Sequence, residues 1–446
     1  MIGLALLAPL SSFAEESGAN KKKPNIIYIL ADDLGISELG CYGQQLIETP
    51  NIDRLSQEGM TFSNHYSGTA VSAPSRCVLF TGLHTGHAYI RGNDEMASRG
   101  DVWNHKAVLA DSTLEGQRPV PAETVMIPAV MKQAGYTTAC IGKWGLGYPG
   151  SASTPNKMGF DFFYGYNCQR EAHTYYPPFL YRNEHREYLN NPLVVPHTKL
   201  DKGADPYEEK SYAKYTLNEY APDLMYKEIL NFIDLTKDNP FVLFWTTPLP
   251  HVPLQELGIY DNTIIIFTSD NGPTFNGGSD SFFFDSAKPF KSEWGWGKAS
   301  LREGGIRVPM IASWPKKIKA GSKSDLICAF WDIMPTFCEI AKVECPTTDG
   351  ISFLPELLGK KQNKHDFLYW EFPDSGGQKA IRMGKWKGIV LNIFKGNRKI
   401  QLYDLDSDPR EQTDVARYHP EIVKRMEDIM KQEHIEPELA SFKMPH

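Results

Sequence analysis

Residues 25–33 read NIIYILADD, an apolar and β-branched run that ends in two adjacent carboxylates, Asp32 and Asp33. Such a run is typical of a strand that is buried on both faces. Three further runs of this kind lead into polar or glycine-containing clusters: Thr137 to Ile141, Phe241 to Trp245 and Thr263 to Phe267. Helical patterns lie between some of them, at Asn51 to Gln57 and Ala122 to Ala134. The alternation predicts an α/β fold, a large mostly parallel sheet flanked by helices, with ligands beyond the carboxyl ends of the strands.

The sequence changes character after Pro315. A short helical pattern at Asp332 to Ala341 is followed by strand-like runs (FLYWEF, KAIRMG, WKGIVL) and by Leu402-Tyr403-Asp404-Leu405. A last helix is predicted over Pro420 to Gln432. We therefore predict a large N-terminal domain over residues 24–334 and a smaller C-terminal α+β subdomain over residues 335–446.

The N-terminus has the pattern of an export signal. Ile2 to Leu10 is almost entirely apolar, and Ser12-Phe13-Ala14 resembles a small-residue cleavage site, although no Lys or Arg precedes Lys21. Residues 1–14 are predicted to be a signal peptide, and the protein to be periplasmic or secreted. The apolar run is too short to span a bilayer and no later stretch is long enough, so no integral membrane segment is expected.

Composition narrows the classes of partner. The 446 residues include 41% apolar and 23% charged residues, as in an ordinary globular protein. The net charge of −7 is spread along the chain, which argues against nucleic acid as a partner. An anionic substrate would need a locally positive site. The seven cysteines form no CxxC pair, which argues against structural zinc.

Several polar residues follow the predicted strands. Asp32, Asp33, Asp270 and Asn271 offer hard oxygen donors suited to Ca²⁺ or Mg²⁺, although an Asp-Asp pair at a strand end also serves as a plain helix cap. The segment Ser72-Ala-Pro-Ser-Arg76 reads either as an anion-binding helix start or as a simple Ser-Pro turn. Three cations follow hydrophobic runs and gain meaning only if they converge at one end of the sheet: Lys143, His251 and Lys298.

Together these motifs resemble the sulfatase family, which has the alkaline-phosphatase-like fold. The segments stand in family order and cover nearly the whole predicted mature chain. Ser72-x-Pro-Ser-Arg76 is the most specific of them; the others are Asn25 to Asp33, Thr49-Pro-Asn-Ile-Asp53, Gly142-Lys-Trp144, His251-x-Pro253, Ser269-Asp-Asn-Gly272 and Lys298 to Gly305.

The resemblance implies a sulfate monoester hydrolase acting on sulfated carbohydrates. It assigns Ser72 as the residue oxidised to formylglycine by a serine-type radical-SAM maturation enzyme, and Arg76 as the side chain that holds it. It implies Ca²⁺, or Mg²⁺, bound by Asp32, Asp33, Ser72, Asp270 and Asn271. It implies that Lys143 and Lys298 bind the sulfate oxygens and that His251 protonates the departing alcohol.

Departures from the family pattern keep alternatives open. Ser72 replaces the commoner cysteine, as in natural serine-type sulfatases or after a deliberate replacement. Gly145 stands where many relatives carry a histidine, so that role falls to another residue; His173 is a candidate and His87 a weaker one. Either histidine could instead contact the sugar, and we also place Arg170 in the predicted substrate-binding set.

The chain also runs from Gln255 straight into Glu256, where relatives place a loop and a long helix. The catalytic domain is therefore expected to be shortened near residues 255–256. Two alternatives follow: a non-catalytic or degenerate binder of sulfated glycans, and a phosphatase or phosphonate hydrolase of the same superfamily.

Overall fold

The computed structural model of the protein describes residues 23–196, 198–215, 217–247, 260–275 and 280–445. The strands of these segments are, in chain order, β1 (Asn25–Ala31), β2 (Met60–Phe62), β3 (His65–Tyr66), β4 (Thr137–Lys143), β5 (Phe162–Tyr166), β6 (Phe179–Arg182), β7 (His185–Tyr188), β8 (Phe241–Thr246), β9 (Thr263–Ser269), β10 (Met310–Ser313), β11 (Ser322–Ser324), β12 (Cys328–Ala329), β13 (Leu368–Phe372), β14 (Gln378–Met383), β15 (Trp386–Leu391) and β16 (Gln401–Asp404). The helices are α1 (Pro50–Glu58), α2 (Ser72–Thr81), α3 (His105–Ala110), α4 (Ile127–Gln133), α5 (Ala221–Thr236), α6 (Glu303–Ile306), α7 (Ile333–Ala341), α8 (Leu354–Leu357) and α9 (Pro420–Gln432).

Ten of these strands form one large sheet in the order β11-β2-β10-β9-β1-β8-β4-β5-β6-β7. The centre, β9-β1-β8-β4-β5, is parallel throughout. Towards the edges, β10 pairs antiparallel with β9 and β2, and β6 pairs antiparallel with β5 and β7. The predicted α/β fold is confirmed: the parallel five-stranded centre carries the four runs read from the sequence, and β11 forms a further parallel pair with β2 at one edge.

Helices cover both faces of the centre. Ile26 and Tyr28 of β1 belong to one hydrophobic cluster, which also contains residues of α2, α4 and α7. Ile27 and Ile29 point to the other face and belong to a second cluster, which contains Met225 of α5. Alternate side chains of one strand are therefore buried on opposite faces, which explains the unbroken hydrophobic run from Ile26 to Ala31.

One predicted helix is shorter than expected. The pattern at Ala122 to Ala134 predicts thirteen residues of helix, and α4 comprises only Ile127–Gln133. Pro128 lies in the first turn of α4, where its missing N–H needs no partner. A helix starting at residue 122 would place the Pro128 ring against the preceding turn, so the chain enters the helix immediately before the proline.

A separate four-stranded antiparallel sheet, β13-β14-β15-β16, forms the C-terminal subdomain, and α9 packs on it through Met426 and Met430. The predicted boundary at residue 335 falls inside α7. The ring of Phe337 in α7 packs against Tyr28 and Phe244 of the large sheet, with centroids 6.2 Å and 6.0 Å apart. α7 therefore packs with the large sheet, and the second sheet begins only at Leu368.

No helix of the described segments is long and apolar enough to cross a membrane. The predicted signal peptide, residues 1–14, lies outside the described residues.

Histidines and carboxylates join the segment after α9 to the loop after α2. His84 Nε2 lies 3.3 Å from Glu433 Oε2, and His87 Nδ1 lies 2.8 Å from Asp349 Oδ1. Gly86 N donates to His84 Nδ1 at 3.1 Å, which leaves Nε2 of this ring facing Glu433. The hydrogen bond to Asp349 raises the pKa of His87 despite its partial burial. Burial raises the pKa of Asp349, but the bond from His87 and the charges of both histidines outweigh it and lower this pKa.

Replacing His87 by glutamine is expected to cost more stability in mild acid than in alkali. The folded-state pKa of His87 is raised, so its stabilisation is complete below its unfolded pKa and is lost as pH rises through the folded pKa. We expect His87→Gln to lower Tm by roughly 2 °C near pH 5.5 and by less near pH 9. Thermal melts at both pH values measure this. His185→Gln, an exposed control, should show no such difference; equal losses for His87→Gln at both pH values would contradict the prediction.

Candidate active site

Parallel pairing brings three of the predicted residues to one edge of the sheet. β1 and β9 are in register up to Ala31 and Ser269, so Asp32 and Asp270, the next residue of each strand, come side by side. Lys143 ends β4 at the same edge, one strand beyond β8. The carboxyl ends of these strands therefore carry both anionic and cationic side chains, as the sequence predicts.

Three carboxylates lie close together at this edge. One oxygen from each of Asp32, Asp33 and Asp270 falls within 4.8 Å of the others, a group that could hold a metal ion. The amide of Asn271 donates to Asp33 Oδ1 at 2.7 Å, and the Asp33 backbone N–H donates to Asp270 Oδ1 at 3.2 Å. Asp33 has a left-handed backbone, with φ of 55°. That strained turn directs two successive carboxylates to one point.

The carboxylates strongly affect each other's pKa. Burial raises the pKa of Asp270 to about 7, and the negative charge of Asp32 adds to the rise. Burial also raises the pKa of Asp32, but the positive charges of Lys143, Lys298 and Arg76 outweigh it and hold this pKa below its ordinary value. Three carboxylates therefore share a site with three cations, and the charged form of Asp270 is disfavoured mainly by burial, a cost that a bound cation would reduce.

Ser72 lies at the start of α2 and faces the carboxylates. Its side chain is buried, and its Oγ lies 3.3 Å from Asp32 Oδ1 and 3.3 Å from Asn271 Oδ1. α2 begins at Ser72, so the segment from Ser72 to Arg76 is the start of a helix rather than a simple Ser-Pro turn. The nucleophile candidate is thus the first residue of a ten-residue helix, at its positive end.

Arg76, one turn into α2, is buried and fully held by protein groups. Its Nε donates to Trp144 O at 2.7 Å, Nη1 to Asp270 Oδ2 at 3.2 Å and Nη2 to Gln169 Oε1 at 2.9 Å. Burial lowers the pKa of Arg76, although the charge of Asp270 opposes this. The guanidinium therefore fixes the start of α2 relative to the ends of β4 and β9.

The two lysines pair with the two adjacent aspartates. Lys143 Nζ lies 2.5 Å from Asp32 Oδ2, and Lys298 Nζ lies 2.7 Å from Asp33 Oδ1. Burial lowers the pKa of Lys298, but the charges of Asp33 and Asp32 outweigh it and raise the pKa overall. Both ammonium groups are therefore paired with carboxylates beside Ser72.

A cleft of about 350 Å³ opens over this group and is lined by Ser72, Lys143 and Lys298 together with two predicted substrate-binding residues, Arg170 and His173. His87 is not brought to the cleft, because it lies in the cluster with Asp349 and Glu433 described above. His251, the predicted proton donor, lies outside the described residues.

The sequence analysis missed several residues of the cleft. Trp103 is 63% exposed there, and the guanidinium of Arg170 lies 4.9 Å from its ring centre. Glu95 Oε2 forms an ion pair with Arg170 Nε at a distance of 3.1 Å. Gln169, which holds Arg76, also donates to Asn93 Oδ1 at 3.2 Å. The only sequence signal for Gln169 is its place four residues before the candidate His173.

Gly145, where many relatives carry a histidine, leaves room for Arg76. Its φ is +76°, and a Cβ on this residue would lie 2.7 Å from Arg76 Nη2. The Arg76 guanidinium occupies the space that a side chain at residue 145 would take, and there it donates to Gln169. Gly145, Arg76 and Gln169 are therefore coupled, and a histidine at 145 requires Arg76 to move.

We expect Gly145→Ala to lower kcat/KM for the protein's substrate roughly tenfold or more, because it displaces Arg76 from Gln169 and Asp270. Gly135→Ala is the matched control: its φ is +79°, and no atom lies within 4 Å of the added Cβ. Both variants carry the same backbone strain, and only one carries the collision. Steady-state kinetics of both variants measure the difference, and equal losses would show that Arg76 does not depend on Gly145.

Comparison with known proteins identifies the family. The sulfatase family model matches residues 24–256, and a model of the C-terminal part of N-sulphoglucosamine sulphohydrolase matches residues 292–436. The chain belongs to the type I sulfatase family, whose members are sulfuric ester hydrolases. Its fold is alkaline-phosphatase-like, with the separate small C-terminal sheet.

Among its relatives is an N-acetylgalactosamine-6-O-sulfatase of Bacteroides thetaiotaomicron, 29% identical over 96% of this chain and 97% of the relative. A solved structure from work on the metabolism of multiple glycosaminoglycans by the same species has a TM-score of 0.69 at 26% identity, covering 92% of this chain and 99% of that one. Another, Ps i-CgsB in complex with k-i-k-neocarrahexaose, has a TM-score of 0.70 at 25% identity over 95% of this chain and 94% of that one.

The alignment with the Bacteroides sulfatase extends over 518 positions, more than the 446 residues of this chain. That relative therefore contains residues with no counterpart here. The predicted shortening near residues 255–256 lies outside the described residues and stays a prediction.

Proposed function

We propose that this protein hydrolyses sulfate monoesters of carbohydrates, using a formylglycine derived from Ser72 and a bound divalent cation. The observation that carries the proposal is the position of Ser72 Oγ. It lies at the start of α2, 3.3 Å from Asp32 and Asn271, in a cleft that two lysines line. A nucleophile formed there would meet an anion whose oxygens the lysines attract.

The residues present fit a hard cation such as Ca²⁺ or Mg²⁺. Asp32, Asp33, Asp270 and the amide oxygen of Asn271 are oxygen donors, and three of the carboxylate oxygens already lie within 4.8 Å of one another. Burial is the main cause of the raised pKa of Asp270, and a cation bound at this carboxylate would favour its charged form. When bound, the cation would supply positive charge that favours the deprotonated nucleophile and neutralises sulfate oxygens.

Formylglycine at position 72 would supply, as its hydrate, a hydroxyl that attacks sulfur and a second hydroxyl that allows sulfate to leave. The start of α2 sets the position of this group, and Arg76 holds that helix against Asp270 and Trp144. Lys143 and Lys298 orient the sulfate and offset the charge that grows on its oxygens. A plain serine lacks the second hydroxyl, so the unmodified protein is expected to turn over poorly.

The departing alcohol needs a proton, which we assign to His251 as the resemblance implies. Arg170 and His173 would contact the sugar from the cleft wall, and Trp103 beside Arg170 offers an exposed aromatic surface. The carbohydrate substrate class is supported by the relatives, which include N-acetylgalactosamine-6-sulfatases and a protein solved with a sugar oligomer. The apolar segment before Ala14 supports export, and Ser72 supports a serine-type radical-SAM maturation enzyme.

The test is release of inorganic sulfate. Protein co-expressed with a serine-type maturation enzyme is incubated with Ca²⁺ and a panel of sulfated hexosamines, sulfated galactose and glycosaminoglycan oligosaccharides. A phosphate monoester and a phosphonate monoester are included in parallel. Release of sulfate from at least one sugar, well above phosphate or phosphonate turnover, is the expected result. Binding of sulfated sugars without release would favour the degenerate binder, and faster turnover of the phosphorus esters would favour the second alternative.

A further inference from the structure

A second cavity of about 440 Å³ adjoins the cleft at Ser72. It lies between the segment after β9, the loop that carries Lys298, and two turns of the C-terminal sheet. Its walls include Phe275, Trp294, Arg302, Ser375, Gln378 and Asn392.

Lys298 lines both cavities, so they meet at one side chain of the proposed catalytic group. The loop that carries this lysine is fixed by the C-terminal sheet. Gln378, the first residue of β14, donates from Nε2 to Ala299 O at 3.0 Å and accepts at Oε1 from Leu301 N at 2.9 Å. The second cavity is therefore held in a defined position next to the sulfate-binding cleft.

The aromatic side of the second cavity is exposed. Trp294 is 76% exposed, and its ring centre lies 5.5 Å from that of Phe275. The exposed indole borders the cavity, and its flat apolar face suits the C–H face of a sugar ring.

The polar side of the cavity favours an anionic sugar. Among the described lining residues there is no carboxylate, and two of them are cationic: Lys298, which also pairs with Asp33, and Arg302, whose Nη1 lies 4.0 Å from Glu411 Oε1. The guanidinium of Arg302 lies 3.9 Å from the ring centre of Trp296, which fixes its orientation. Ser375, Gln378 and Asn392 add hydroxyl and amide groups of the kind that bind sugar hydroxyls.

We propose that this cavity is a second saccharide subsite, which binds the sugar next to the one whose sulfate enters the cleft at Ser72. The preferred occupant is an anionic residue of the same chain, carrying sulfate or a carboxylate. This inference rests on the proposed function and deepens it: the preferred substrate is a sulfated oligosaccharide that extends across Lys298, rather than a free monosaccharide.

The experiment compares kcat/KM for a sulfated monosaccharide with that for a tetrasaccharide containing the same ester, using matured protein with Ca²⁺. We expect the wild-type protein to prefer the tetrasaccharide by roughly tenfold. Trp294→Ala should lower kcat/KM for the tetrasaccharide by roughly 3- to 12-fold, which removes most of that preference. It should leave kcat/KM for the monosaccharide unchanged. Tyr418→Ala is the control, since Tyr418 is also an exposed aromatic residue (61%) but does not line this cavity.

Asn392→Asp tests the charge of the subsite without shortening a side chain. It should weaken the tetrasaccharide reaction and make it less sensitive to salt, while the monosaccharide reaction is unaffected. Equal kcat/KM values for both substrates in the wild-type protein, or an equal loss for both in Trp294→Ala, would overturn the subsite. Absence of sulfate release from either substrate would instead overturn the proposed function. The subsite would then be tested by the affinity of the unmodified protein for the tetrasaccharide. Trp294→Ala should weaken this binding and Tyr418→Ala should not.

Discussion

Replacing Ser72 by alanine is expected to lower kcat/KM for sulfate release by roughly a thousandfold or more, because it removes the group that becomes the nucleophile. The loss should appear in kcat, since Lys143 and Lys298 still line the cleft and can still bind the sulfate. The fold should persist, because Ser72 Oγ makes only two long contacts, each of 3.3 Å. Steady-state kinetics of matured protein measure the loss, and thermal melts test the fold.

Two controls separate the nucleophile from its surroundings. Ser112→Ala changes a serine at the start of a short helical turn outside the cleft and should leave activity unchanged. Ser72→Cys, matured by a cysteine-type enzyme, should regain activity because both residues yield the same aldehyde. Retention of substantial activity by Ser72→Ala, with the same substrate and in the absence of contaminating sulfatase, would contradict the assignment.

Removal of divalent cations is expected to have the second-largest effect. Oxygens of three carboxylates lie within 4.8 Å of one another, and burial, with the charge of Asp32, raises the pKa of Asp270 to about 7. A bound cation would stabilise the charged form of this group. A cation that binds only the folded state at about a hundred times its Kd adds roughly 2.7 kcal/mol of stability. Extensive dialysis against a chelator should therefore lower Tm by several degrees and reduce kcat by roughly a hundredfold or more. Added Ca²⁺ should restore both.

Variants show which carboxylates are responsible. Asp33→Asn should abolish the response of Tm to Ca²⁺, because Asp33 belongs to the group beside Ser72. Asp349→Asn is the matched control: Asp349 belongs to a second group of possible ligands, with His84 and His87, away from the cleft. A response to Ca²⁺ that survives in Asp33→Asn and disappears in Asp349→Asn would place the cation at the wrong cluster and contradict the account.

Strand residues and their polar ends could be predicted from the sequence because burial on both faces leaves a simple pattern. Ile26 to Ala31 is hydrophobic throughout, and the change to a polar residue at Asp32 marks the edge of the sheet. Parallel neighbours in register then bring Asp270 to Asp32 without further information. Pro128, which sets the start of α4 at Ile127, is also visible in the sequence. The longer helical pattern from Ala122 to Ala134 nevertheless predicts an earlier start.

The remaining features depend on contacts between distant segments. Gln169 and Arg76 are 93 residues apart, and only the folded chain shows that the space left by Gly145 joins them. His87 lies eleven residues after Arg76 in the sequence, but the turn after α2 directs it to Asp349 and away from the cleft. The second cavity combines the loop at Lys298 with turns of the C-terminal sheet, and no motif of either segment signals that pairing.

The central claim is most directly tested by the mass of the peptide that contains Ser72, from protein co-expressed with a serine-type maturation enzyme. The account predicts the loss of two hydrogens at Ser72, the change that converts the serine to formylglycine, and a peptide that reacts with aldehyde reagents. An unmodified Ser72, in a preparation where the same maturation enzyme converts a control sulfatase, would contradict it.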